Sequence, residues 1–130
     1  MEQLTSEQVN QLAGHFLSMA QSIEEFRSQN FVNLSPDQNQ NIKDFHSIIL
    51  DCADRLYTLS ASLVLEDVDA SLAKIGEVTN RMNTTVSALK NVQKAIDIAA
   101  SVVALSKAIL AANLQDIGTS LAGLDQAVRS

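Results

Sequence analysis

From Val9 the apolar residues recur at Val9, Leu12, Phe16, Met19, Ile23 and Phe26, in alternating steps of three and four. That spacing lays one apolar stripe along an α-helix. Thr5, followed three residues later by Gln8, supplies a capping-box start, so a first helix is expected over about 6–29. Asn30 to Leu34 carries no stripe. Ser35, Pro36 and Gln38 then read as N-cap, first helical residue and capping-box partner. Ile42, Phe45, Ile49, Cys52, Leu56, Leu59 and Leu63 keep the same alternation, which predicts a second helix over about 36–64. Two such helices with a short connection are expected to form an antiparallel pair with a shallow crossing.

Glu66, Asp67 and Asp69 suit a turn that ends in an N-cap, because carboxylates favour the positive end of a helix dipole. Beyond it Val68, Leu72, Ile75, Met82, Val86, Leu89 and Ile96 continue the stripe, with Thr79 and Gln93 as polar members. No breaker appears until Asn113, so the third helix is expected to run over about 68–112, or about 67 Å at the helical rise. A straight helix of that length overhangs the first two, and it must kink or pack its far end elsewhere. Asn113 and Asp116 form a modest N-cap pair. Leu114, Ile117, Leu121, Leu124 and Val128 give a last helix over about 114–128 that folds back on the third. The class expected is all-α: one antiparallel helical bundle of three to four helices with a long third helix, spanning residues 1–130 as a single domain.

One stretch departs from simple amphipathicity. Between Lys94 and Asn113, Ala100, Ala104, Ala108 and Ala112 recur every fourth residue, while Ile98, Val102, Leu105 and Ile109 occupy an adjoining face. A helix apolar or small nearly all round is covered by its own fold, by another chain or by a membrane. A row of alanines lets another helix backbone come close. These eight residues are the candidate interaction site, with a homo-oligomer or another helical protein as the expected partner.

Composition narrows the alternatives. Hydrophobic residues make up 46% of the chain against 18% charged, which suits a folded protein. The 15 acidic and 9 basic side chains give a net charge of −6, and the basic ones are dispersed, so neither nucleic acid nor an anionic lipid surface is an expected ligand. Ile98 to Gln115 is interrupted by Lys107, too soon for the ~20 apolar residues of a membrane span. Cys52 is the single cysteine, and Met1 to Asn10 carries Glu2 and Glu7 without a signal-type apolar core. A cytoplasmic location is expected.

Candidate chemistry is sparse. His15 and His46 sit one on each of the first two helices, and neither has the Glu three residues before it that a di-iron bundle uses. Cys52 lies on the core stripe, where a thiol acts as a small hydrophobe. Glu66, Asp67 and Asp69 lack the Gly and distal Glu of a calcium loop. No phosphate loop or hydrolase motif is present. No catalytic residue, metal or cofactor is therefore expected. The reading favoured is a non-enzymatic interaction module that self-associates through the Ala-rich face of the third helix. Two alternatives stand beside it. One is a soluble, membrane-active protein: the long amphipathic helices with the stretch Ile98 to Leu114 resemble α-helical pore-forming toxins. The other is a small acidic antagonist of the immunity or antitoxin kind, suggested by charge.

Overall fold

The computed structural model describes residues 2–58, 64–65 and 67–129. Five α-helices are found among them: α1 (Ser6–Gln29), α2 (Pro36–Thr58), α3 (Val68–Ser87), α4 (Val92–Leu110) and α5 (Leu114–Arg129). A 3-10 turn, Phe31–Asn33, joins α1 to α2. A minimal antiparallel ladder pairs β1 (Glu2–Gln3) with β2 (Val64–Leu65), Glu2 facing Leu65 and Gln3 facing Val64. The chain is all-α in class.

Both expected capping boxes are present. Thr5 Oγ1 accepts from Gln8 N while Thr5 N donates to Gln8 Oε1, and Ser35 and Gln38 repeat the exchange at the start of α2. Every stripe residue from Val9 to Phe26 is buried. Asp67 caps α3 by accepting from Ala70 N, and Asn113 caps α5 by accepting from Asp116 N.

Two expectations are corrected. The second helix does not run to residue 64, because Val64–Leu65 is a strand paired with the N-terminal segment; Leu59, Leu63 and Glu66 lie outside the described residues. The long third helix is two helices. α3 closes at Ala88, whose N–H reaches Thr85 O and Val86 O, and α4 begins at Asn91, whose side chain accepts from Lys94 N. The physical reason is length. At 20 and 19 residues the halves measure about 30 and 28 Å and lie alongside α1 and α2, where a continuous rod would leave apolar surface uncovered.

Cross-helix contacts fix the directions. Arg27 Nη1 donates to Asn39 Oδ1, so the end of α1 meets the start of α2 and the two are antiparallel. The His15 ring lies against Gly76 while Asn83 bonds to Ser18 and Ser22, so α1 and α3 run parallel. Cys52 Sγ donates to Ser106 O, and Ile42 and Ala95 line one small dry void, which sets α2 parallel to α4. Lys74 pairs with Asp125 at 3.2 Å and Glu77 with Arg129 at 3.6 Å, so α3 and α5 are parallel. α1 packs on α2 and α3, α4 packs on α2 and α5, and α3 meets α5, closing a ring of five helices that α1 and α4 bridge across the middle. Among the described residues no helix is long and apolar enough to cross a membrane.

The α3–α4 break makes a signed prediction. Within a continuous helix Asn91→Ala raises helix propensity and stabilises the fold by a few tenths of a kcal/mol. As an N-cap its loss costs about 1 kcal/mol. Urea unfolding of Asn91→Ala is expected to show the destabilisation.

Candidate functional site

α4 is the most enclosed helix of the bundle. Ile98, Val102 and Leu105 are fully buried and Ile109 nearly so, packed inside the chain's own core. These four, expected beside the Ala row as part of one interaction surface, are not accessible to a partner in this arrangement. The Ala row divides differently. Ala100 and Ala104 are exposed, while Ala108 is buried.

Ala112 is exposed and has a positive φ of 54°, a left-handed conformation that Gly adopts more readily. It ends α4 in a Schellman motif, with Asn113 N donating to Ala108 O and Ala112 N to Ile109 O. Its role is to turn the chain into α5.

What stays open on α4 is a groove shared with α5. Its volume is about 430 Å³, its floor is Ala104, Ala108 and Ala111, and Lys107 on one helix and Asp116 and Ser120 on the other form its sides. The small floor follows from α4 presenting Ala where its other faces present branched side chains. Lys107 and Asp116 carry opposite charges, and neither forms an ion pair among the described residues.

A second, larger groove of about 630 Å³ runs between α1 and α2. Leu17 and Leu50 form one end, Gln21 and His46 the middle, and Glu24, Glu25 and Ser28 the other end. Glu24 is held by Arg27 at 2.6 Å, and the hydrogen bond from Arg27 draws its carboxyl below the ordinary range. Among the described residues Glu25 accepts from Gln21 Nε2 and pairs with no cation. Periodicity did not single out this groove, because Leu17 lies off the apolar stripe and its neighbours are polar.

The two histidines do not meet. His46 lines the α1–α2 groove, whereas His15 sits in the α1–α3 seam with its Nε2 buried and unpartnered. A Cβ on Gly76 would come within 3.3 Å of the His15 ring, so the glycine makes room for the imidazole. Among the described residues no group of three His, Cys, Asp or Glu side chains is placed to hold a metal ion. Cys52 is buried against α4, and burial pushes its thiol up to about 11, so it stays protonated.

Comparison of the chain with protein-family models, with curated proteins and with solved structures gave no match.

Burial lowers the His15 pKa below its ordinary 6.5, since the charged ring would lose water without gaining a partner. The unfolded chain therefore binds the proton more readily, and stability present above pH 6.5 is lost as the pH falls through the folded value. Glu24 and Asp125, both lowered by arginine hydrogen bonds, give up their contribution only in the more acidic carboxylate range. Denaturant midpoints measured between pH 7 and 5 are expected to fall in the parent chain and to fall less in His15→Gln. Equal slopes would contradict the assignment.

Proposed function

We propose that this chain is a non-enzymatic interaction module that pairs with a second copy of itself through the small-residue face of α4 and the groove beside it. The observation that carries the reading is the combination of an alanine floor with two unpaired, opposite charges on facing sides, Lys107 and Asp116. A two-fold interface is self-complementary, so residue i of one copy meets residue j of the other and the reverse. A groove with one cation and one anion suits such an axis, since Lys107 of each copy can pair with Asp116 of its partner.

The buried residues of α4 limit what the interface contains. Ile98, Val102, Leu105 and Ile109 are spent in the monomer core, so association rests on close approach across Ala100, Ala104 and Ala111. Contacts of this size without large apolar anchors give a concentration-dependent dimer, not an obligate one. Rim charges of this kind set register and orientation more than affinity.

Light scattering across a concentration series is expected to show a mass rising from the 14.0 kDa of one chain toward twice that value. Ala104→Arg fills the floor with a long cation and is expected to weaken pairing roughly tenfold or more. Lys107→Asp alone weakens it, and Lys107→Asp combined with Asp116→Lys restores it. A single-chain mass at the highest attainable concentration, unchanged in all three variants, would refute the proposal.

A further inference from the structure

The α1–α2 groove has a shape, a length and an uncompensated charge that together specify a ligand. Leu17 is 37% exposed at its apolar end, opposite Leu50. From Leu17 to Ser28 the groove follows α1 for about 16 Å, or three helical turns. It is open along that length, which suits a helix laid into it better than an enclosed small molecule. The two ends differ in chemistry. Leucines lie at one, and at the other, two turns along α1, stand Glu24 and Glu25.

Of these carboxylates Glu25 is the free one. Arg27 is bonded to Glu24, and Lys43 adds to the positive field around it, while Glu25 has no cation partner among the described residues. The chain is acidic as a whole. Five of its nine basic side chains, Arg27, Arg55, Lys74, Arg81 and Arg129, already hold carboxylates, and the net charge is −6. Charge complementarity favours a cationic helix, and the net charge of −6 on every copy of this chain favours a foreign one over a second copy.

We infer that the α1–α2 groove binds an amphipathic helix of another protein that carries an apolar side chain and, about two turns away, a Lys or Arg. The apolar residue covers Leu17 and Leu50, and the cation reaches Glu25. The site lies on a different face from the α4 groove, and the oligomeric state of the chain does not bear on it.

The probes are three fluorescein-labelled, alanine-based helical peptides. The first has Leu with Arg seven residues on, the second has Glu in place of that Arg, and the third has Ala in place of the Leu. Fluorescence anisotropy is expected to show binding of the first peptide and roughly tenfold weaker binding of the other two. Glu25→Lys, an exposed substitution checked for native helicity by circular dichroism, is expected to invert the preference so that the Glu peptide binds and the Arg peptide does not. Amide shifts on titration should map to Leu17, Gln21, Glu25 and His46. The inference is overturned if no peptide binds at about 1 mM, if Glu25→Lys leaves the preference unchanged, or if the shifts map to α4.

Discussion

Enclosure of α4 is the constraint on which the rest of the structure depends. Ten of its 19 residues are buried, and they include Ile98, Val102, Leu105 and Ile109 together with Ala95, Ala99 and Val103 on neighbouring faces. Apolar surface spread over so much of a helix cannot be satisfied by one neighbour. α2, α5 and, across the middle, α1 each cover part of it. The ring order follows, because α4 must lie between α2 and α5 while α3 closes the gap between α5 and α1. The last seam, α3 with α5, carries the Lys74–Asp125 and Glu77–Arg129 ion pairs at its edge, which orient the helices more than they stabilise them.

The two grooves are consequences of this enclosure. α4 turns its branched side chains inward, so its outward face is left with Ala100 and Ala104, and the groove it shares with α5 has an alanine floor. α1 likewise commits Phe16, Met19, Ile23 and Phe26 to the core. Its outer edge is left with Leu17, Gln21, Glu24 and Glu25, and the shallow valley beside α2 stays open. One groove is small-residued and charge-balanced, the other apolar at one end and acidic at the other. Those differences lead to different proposed occupants, a second copy for the first and a cationic helix for the second.

Much of the fold was legible in the residues because its boundaries use side chains with one clear job. Thr5 with Gln8, and Ser35 with Pro36 and Gln38, mark helix starts through hydrogen bonds that those residue types make and few others do. The α3–α4 boundary was hidden for the opposite reason. Ala88, Leu89 and Lys90 are all good helix formers, and Asn91 alone carries the signal, without a Gly or Pro to reinforce it. The turn into α5 is similarly disguised, since Ala112 takes a left-handed conformation at a position where Gly is usual. For the candidate interaction residues, periodicity placed all eight on one stretch of helix but could not tell which of its faces the chain would cover. That division depends on which helices lie beside α4, a property of the ring order and not of any local pattern.

α4 is enclosed by its own chain, and what it leaves open is its small-residue face. Amide hydrogen exchange measured on samples diluted until light scattering gives the single-chain mass tests this directly. Amides from Ile98 to Ile109 are expected to remain among the slowest to exchange at every dilution, because their protection comes from α2, α5 and α1. Loss of that protection on dilution would contradict it, since α4 would then owe its burial to a second chain.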